Sequence, residues 1–115
     1  MGVDRSDYMI YGYKLPEDYF ESKGIEIFEG DKYLPYIEGW KGEEYSIVND
    51  QMCGKYVVFG YSIAYANSNG FDFIELPPDG WPVKAEQIKA KFNEVFGFTD
   101  ETLGEPKVLL FTHYW

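Results

Sequence analysis

The clearest hydrophobic pattern in the chain is a pair of apolar runs on either side of a polar turn. The runs are "EEYSIV" and "KYVVFGYSIAYA", and the segment "NDQMCG" between them ends in Gly54, which predicts a β-hairpin. Both alternating faces of the second run are apolar, with Val57 and Phe59 on one face and Val58 on the other. We therefore expect a central strand that is covered on at least one side.

Three other stretches carry strand patterns. "DYMIYGYKLP" predicts a first strand, "FDFIEL" a strand after the turn "NSNG", and "KVLLFTHYW" a terminal strand whose apolar density favours an interior position. "GIEIFEG" predicts a half-exposed strand or strand end. "DKYLPYIEGWKGEE" is interrupted by Pro35, Gly39 and Gly42, which predicts a loop or a broken edge strand.

Apolar residues recur at helical spacing in "VKAEQIKAKFNEVFG". Ile88, Phe92 and Val95 share one face with Phe96, and Gly97 suits the end of a helix over about residues 84–96 that covers the sheet. A short helix is predicted in "PEDYFESKG", with proline in its first turn. The chain is thus predicted to be a single α+β domain over residues 1–115. Its mainly antiparallel sheet has about five strands, with one long C-terminal helix packed on it and one short N-terminal helix.

The chain of 115 residues is strongly acidic, with a formal net charge of −10. Residues 1–50 contain 12 acidic and five basic residues, whereas residues 51–115 contain eight and five. Such a charge repels nucleic-acid phosphate, so we expect no direct binding to nucleic acid. It favours attraction to basic protein surfaces, including those that normally hold DNA or RNA.

The sequence also bears on the compartment. No apolar run approaches the roughly 18 residues of a membrane-spanning helix, and the first residues do not form a signal peptide. A single cysteine fits a reducing interior better than a disulfide framework. We expect no membrane partner, a cytoplasmic location (the host cytoplasm if the protein is viral) and a monomer or a homodimer.

A thiol active site is the first candidate for chemistry, because Cys53 and His113 are the only cysteine and histidine. A reactive thiolate needs a nearby base and a third group that orients the base. No helix start follows Cys53, which lies in the predicted hairpin turn, and His113 lies on the predicted terminal strand. We therefore predict that Cys53 is structural or incidental and that the protein is not an enzyme.

Metal ions and cofactors also lack a recognisable motif. One histidine and one cysteine cannot form a structural zinc site, and Glu29, Asp31 and Glu38 do not have the spacing of an EF-hand loop. Neither "GWKGEE" nor "EGDK" matches a phosphate-binding loop. Neighbouring acids are many, but nothing in the pattern selects two that would work as a general acid and base. We expect no metal and no cofactor.

Aromatic residues are interspersed with acids in the first half of the chain, a composition typical of a protein-binding face on which aromatics anchor and acids steer. The alternative is that these aromatics form the core. Within this half we select a candidate partner-binding set: Tyr36, Glu38, Trp40, Glu43 and Glu44. Tyr36 and Trp40 would be the anchors, although Trp40 would instead be a core residue if it is buried.

Several of these features resemble the small acidic accessory proteins of tailed bacteriophages: the compact α+β pattern, the tyrosine-rich opening "SDYMIYGYKLPEDYF" and the acid excess. The resemblance implies binding to, and inhibition of, a host enzyme or nucleic-acid-binding protein, in some cases by imitating the charge of DNA. The predicted function is therefore a non-enzymatic, acidic protein-binding module. The alternatives are a module that binds a small molecule or nucleotide derivative between sheet and helix, and an enzyme that uses carboxylates.

Overall fold

A computed structural model of the chain describes residues 5–27, 32–37, 44–49, 56–66 and 83–114. These residues form an α+β fold with a four-stranded antiparallel sheet. The strands are β1 (Arg5–Pro16), β2 (Tyr45–Asn49), β3 (Tyr56–Ala66) and β4 (Lys107–Tyr114). The helices are α1 (Tyr19–Ser22), α2 (Leu34–Ile37) and α3 (Ala85–Phe96), followed by a 3₁₀ turn at Glu101–Leu103.

The order of the strands across the sheet is β2-β3-β1-β4. The predicted hairpin strands β2 and β3 are neighbours, and β3 lies between β2 and β1, so the prediction of a central strand is confirmed. A register shift between Met9 and Ile10 interrupts the β1–β3 ladder, which is the mark of a bulge. The terminal strand β4 pairs with β1 alone among the described strands, so it lies at the edge of the described sheet, not inside it.

Two glycines allow β1 and β3 to approach closely. Gly12 lies directly opposite Gly60 in the ladder. A Cβ atom on Gly12 would lie 2.0 Å from the carbonyl oxygen of Phe59, and one on Gly60 would lie 2.5 Å from the carbonyl oxygen of Tyr11. The close approach of the two backbones therefore requires glycine at both positions.

One face of the sheet is covered by α3, and its core is strongly aromatic. Phe59 of β3 is fully buried, and its ring lies 5.7 Å from the ring of Phe92 and 5.2 Å from that of Phe96. The four helix residues predicted to face the sheet are all buried: Ile88, Phe92, Val95 and Phe96. The predicted amphipathic face is thus confirmed, because residues spaced by three and four positions lie on one side of a helix.

The ends of α3 also follow from its sequence. The side chain of Gln87 accepts a hydrogen bond from the backbone N–H of Lys84 at 2.7 Å, which satisfies a donor ahead of the first turn. Gly97 has a φ of 83°, the left-handed conformation that commonly ends a helix. The helix has 12 residues and is followed by the 3₁₀ turn and β4, so it is neither long nor the last element.

The opposite face of the sheet buries a smaller apolar cluster around Ile10 and Val58. There the ring of Phe111 stacks on Tyr8 with a centroid distance of 5.4 Å. Ser46 and Ser62 pair through their hydroxyl groups at 2.5 Å on the same face.

The structure corrects three other predictions about secondary structure. Pro16 ends β1 instead of starting α1, because Leu15 remains in the sheet and is buried. Residues 24–27, the described part of the predicted strand "GIEIFEG", lie outside the sheet and follow a turn, because Gly24 has a φ of 75° and the N–H of Ile25 bonds to the carbonyl of Phe20. Residues 34–37, predicted to be a loop or a broken strand, form the short helix α2.

Four strands are present in the described residues, where about five were predicted. The remaining predicted strand, "FDFIEL" at 71–76, lies outside the residues that the structure describes. Within the described part of the chain, no helix is long and apolar enough to cross a membrane.

Candidate functional site

Helix α3 separates two surface regions, and two of its lysines point to opposite sides. Lys89 contacts Glu105, beside β1 and the segment that precedes β4. Lys91 contacts aromatic rings of α2 and β2. The sheet order explains this arrangement: α3 packs over the central strand β3, and β1 and β2 lie on either side of that strand.

The first region, which we name the tyrosine surface, consists of Tyr11, Tyr36, Tyr45 and Tyr61. Tyr11, Tyr61 and Tyr45 are directly opposite one another on β1, β3 and β2, so side-chain alternation places all three on the helix-covered face. The rings of Tyr45 and Tyr61 meet edge to face at 5.6 Å. Tyr11, Tyr36 and Tyr61 are half-buried, so part of each side chain is exposed to solvent, whereas Tyr45 is buried.

Lys91 joins the helix to the tyrosine surface. Its ammonium group lies 5.6 Å from the centre of the Tyr36 ring and 5.6 Å from that of the Tyr45 ring. Glu94, one helical turn away, pairs with it at 3.4 Å. Desolvation opposes the charge on Lys91, but Tyr36 and Glu94 outweigh it, and the pKa of Lys91 is raised. The ammonium group therefore stays charged and holds α2 against α3 through cation–π contacts.

The structure places only part of the predicted partner-binding set. Tyr36 packs against the aromatic core from α2 and belongs to the tyrosine surface. Glu44 is exposed and directly precedes Tyr45, whose pKa is raised mainly by desolvation, while Lys91 opposes the shift. Tyr36 and Tyr45 thus share the Lys91 ammonium group, and Glu44 is the neighbour of Tyr45 in the chain. The other three members lie outside the described residues: Glu38, Trp40 and Glu43.

The cysteine and histidine weighed as a thiol site are also described only in part. Cys53 lies outside the described residues, so the prediction that it is structural or incidental stays a prediction. The backbone of His113 is in β4, where it pairs with Ser6 of β1.

The second region is a cleft between β1, α3 and the segment from Thr99 to Glu105. Its volume is about 330 Å³, at the lower end of the range for ligand pockets. Tyr13 and Phe92 form apolar walls with Leu103, and their rings meet edge to face at 5.9 Å. Charged residues complete the lining: Lys89, Asp100, Glu101 and Glu105. We name this region the acidic cleft.

Asp100 organises one side of the acidic cleft. Its Oδ1 accepts hydrogen bonds from the backbone N–H of Thr102 at 3.0 Å and from the Thr102 hydroxyl at 2.5 Å. Its Oδ2 accepts one from the Tyr19 hydroxyl at 2.5 Å, and the ammonium group of Lys23 lies 3.9 Å away. Hydrogen bonds from Thr102 and then Tyr19 lower the pKa of Asp100. The carboxylate is therefore ionised at neutral pH and ties α1 to the segment before β4.

The other side of the cleft is closed by an ion pair and a tyrosine. Lys89 Nζ and Glu105 Oε1 are 2.6 Å apart. Hydrogen bonding to Glu105 raises the pKa of Lys89. The Tyr13 hydroxyl donates a hydrogen bond to the carbonyl oxygen of Gly104 at 3.2 Å. Desolvation raises the pKa of Tyr13, so this hydroxyl remains a donor at neutral pH.

The sequence does not indicate the acidic cleft, because "TDETLGEP" has only the pattern of a polar connection between α3 and β4. A signal was present in the spacing of Asp100 and Thr102, since an aspartate two residues before a backbone N–H is typical of a capped turn. No sequence signal indicates that Tyr19 and Lys89, from distant parts of the chain, meet this turn.

The described lysines and acids differ in how many of them have a partner within the chain. Five of the seven lysines whose side chains are described contact a ring or a carboxylate: Lys14, Lys23, Lys32, Lys89 and Lys91. Six exposed acids form no ion pair within the described part of the chain: Glu17, Asp18, Glu21, Glu44, Glu86 and Glu101. The described surface therefore presents uncompensated negative charge.

Metal-ligand geometry is not found in the described ranges, where no three His, Cys, Asp or Glu side chains are grouped to hold an ion. No protein-family model, curated protein or solved structure matches this chain.

Proposed function

We propose that the protein is an acidic protein-binding module that recognises a basic surface on another protein. The observation that supports the proposal is which charged side chains on the surface are paired. Most described lysines are occupied by rings and carboxylates of the chain itself, whereas six exposed acids have no ion-pair partner among the described residues. Such a surface attracts cations over a distance and repels anions.

The tyrosine surface would supply the contact area that an interface needs in addition to charge. Tyrosine contributes a large, rigid contact area with a polar tip, and such residues dominate the energy of many interfaces. Tyr36 is half-buried and held by Lys91, so little side-chain entropy remains to be lost on binding. Glu44, exposed beside Tyr45, provides steering charge at the same place. The predicted set with Glu38, Trp40 and Glu43 is kept in the proposal.

A role as an inhibitor of a host enzyme or nucleic-acid-binding protein, of the bacteriophage kind, is the narrower form of this proposal. A basic groove that normally holds nucleic acid would present the charge that this surface attracts. The carboxylate-enzyme alternative gains no support from the acidic cleft, because the carboxylate there whose pKa is shifted, Asp100, is shifted away from neutrality.

The experiment measures association and dissociation rates with an arginine- and lysine-rich peptide by surface plasmon resonance. We expect the association rate to fall about 10-fold or more as ionic strength rises and the Debye length shrinks from about 10 Å at 0.1 M to about 3 Å at 1 M. Reversal of Glu38, Glu43 and Glu44 to lysine should slow association with little change in dissociation, whereas Trp40→Ala and Tyr36→Ala should speed dissociation.

A matched control separates a site from a general charge effect. Glu44→Lys and Glu86→Lys remove and reverse the same charge at exposed positions, but Glu86 lies in the first turn of α3, outside the tyrosine surface. Glu44→Lys should slow association more than Glu86→Lys. Equal effects of the two reversals, together with unchanged dissociation in a folded Tyr36→Ala variant, would contradict the proposed site.

A small-molecule-binding module is the second candidate, and the acidic cleft is the observation that favours it. The cleft lies between the sheet and α3, where this alternative places its pocket. Its small volume and its carboxylates disfavour a nucleotide, whose phosphates are anionic. A thermal-shift screen of small cationic and neutral metabolites, repeated on Glu101→Gln, would test this candidate directly.

A further inference from the structure

We infer that the acidic cleft is a receptor for an arginine side chain of the partner protein. The inference rests on the proposed function, because it names one contact that a basic partner would make. It concerns the cleft on the β1 side of α3 and not the tyrosine surface on the β2 side. The two regions can therefore be tested independently with separate variants.

The charge of the lining selects a cation. Three carboxylates and one ammonium group line the cleft, which gives the lining a net charge of −2. Lys23, which lies 3.9 Å from Asp100 Oδ2 but does not line the cleft, leaves the sum negative even when it is included. An anionic occupant would have to overcome this field, whereas a cation is attracted by it.

The accessible oxygens belong to Glu101 and Glu105. Both oxygens of Asp100 already accept hydrogen bonds, from Thr102 and Tyr19. Glu101 is exposed and makes no ion pair within the described residues. Glu105 uses one oxygen for Lys89, and its side chain is 72% exposed, so its second oxygen is open to a further donor. Two carboxylates four residues apart thus border the same cleft.

A guanidinium group fits this pair better than an ammonium group. It is planar and carries five N–H donors in a fixed fork, so it can bond to two carboxylates at once. Its propyl stem also needs apolar walls, and Tyr13, Phe92 and Leu103 supply them. The volume of about 330 Å³ is sufficient to admit one arginine side chain.

The first experiment is a titration of the folded, isotope-labelled protein with an acetylated and amidated Gly-Arg-Gly peptide, followed through backbone amide shifts. Gly-Lys-Gly and Gly-Gln-Gly peptides are the matched probes. The arginine peptide should cause saturable shifts at Thr102, Gly104 and Glu105, the lysine peptide weaker ones and the glutamine peptide none. Shifts that are equal for the arginine and glutamine peptides, or that lie outside the cleft, would overturn the inference.

The variants then test the carboxylates. Glu101→Gln should weaken the binding of the arginine peptide about 3- to 10-fold, as expected for the loss of one partly exposed charged hydrogen bond. Glu17→Gln, which removes the same charge at an exposed position outside the cleft lining, should leave the affinity unchanged. Thermal melts and amide spectra without peptide verify that both variants are folded. Equal affinities of Glu101→Gln and the unaltered protein would overturn the inference.

The two proposals fail in distinguishable ways. Salt-sensitive binding of the long basic peptide that depends on Glu44 and Tyr36, but not on Glu101, would keep the proposed function and reject the arginine receptor. If free arginine amide binds saturably and the arginine peptide binds no more tightly, the cleft is a small-molecule site. That result would also reject the arginine receptor. Loss of affinity for both peptides in Glu101→Gln would support the inference.

Discussion

The two sides of α3 hold similar lysine side chains in different ways. Lys89 and Lys91 are two residues apart, yet Lys89 pairs with the Glu105 carboxylate at 2.6 Å, whereas Lys91 lies over two tyrosine rings at 5.6 Å. The β1 side is therefore a cleft with several ionised groups. The β2 side is an aromatic surface in which the cation serves to hold α2 in place.

This difference shows how one amphipathic helix produces two kinds of surface. The apolar face of α3 fixes its position over β3, and residues on its two sides then meet whatever the neighbouring strands provide. On the β1 side this is Tyr13 and the capped turn at Asp100. On the β2 side it is Tyr45, with Tyr36 of α2. Both arrangements depend on the same aromatic contact, that between Phe59 of β3 and Phe92 of α3.

The largest effect is expected from removal of this shared aromatic contact. Phe92→Ala should lower the free energy of unfolding by about 3 to 5 kcal/mol, since Phe92 is only 3% exposed and its ring contacts Phe59, Phe96 and Tyr13. Urea denaturation followed by circular dichroism measures the change. Both sides of α3 should be disturbed in amide spectra.

Phe111→Ala is the matched control for this prediction. Phe111 is half-buried on the opposite face of the sheet, so we expect a cost of roughly 1 to 2 kcal/mol and undisturbed amides around Lys89 and Lys91. If Phe92→Ala lowers the free energy of unfolding by less than about 1 kcal/mol, or by no more than Phe111→Ala does, the position of α3 does not depend on this aromatic contact.

A smaller effect is expected on the tyrosine side. Lys91→Met keeps an apolar stem but removes two cation–π contacts and the pair with Glu94, so we expect a loss of about 1 kcal/mol. The folded pKa of Lys91 is raised above its ordinary value of 10.5. Its contribution is therefore fully present below about pH 10 and is lost as the pH rises through the folded pKa. The difference between protein and variant should disappear in alkaline solution.

Lys89→Met provides the comparison for the tyrosine side. Its ion pair with Glu105 is exposed, so its effect on stability should be smaller than that of Lys91→Met and should fade in about 1 M salt. Chemical denaturation at low and high salt measures both. An equal salt sensitivity of the two variants would contradict the distinction between Lys91, held by two rings as well as Glu94, and Lys89, held by the Glu105 carboxylate.

The smallest effect is expected in the acidic cleft, and it should appear as a change in pH dependence. The folded pKa of Asp100 is depressed below its ordinary value of 3.8. Its contribution to stability is therefore present above about pH 4 and is lost as the pH falls through the folded pKa. Asp100→Asn should flatten the fall in melting temperature below pH 4. An unchanged acid slope would show that Thr102 and Tyr19 do not stabilise the ionised carboxylate.

The sequence by itself determined the α+β class, the four strands β1 to β4 and the buried face of α3. These features rest on alternation of period two and on helical spacing, which are local and do not depend on distant residues. It determined less well where elements stop. Pro16 was expected to start a helix, but burial of Leu15 keeps the residue in β1.

Only the tertiary structure decided the order of the strands and the two surfaces beside α3. The apolar content of β4 does not reveal its edge position among the described strands. Leu109 and Phe111 of β4 are apolar because they pack against the cluster around Ile10, which an edge strand can do as well as an interior one. The meeting of Tyr19 with Asp100 spans 81 residues, and that of Tyr13 with Gly104 spans 91. Contacts of this kind follow from the packing of whole elements, so local patterns carry no information about them. The acidic cleft exists because of such contacts.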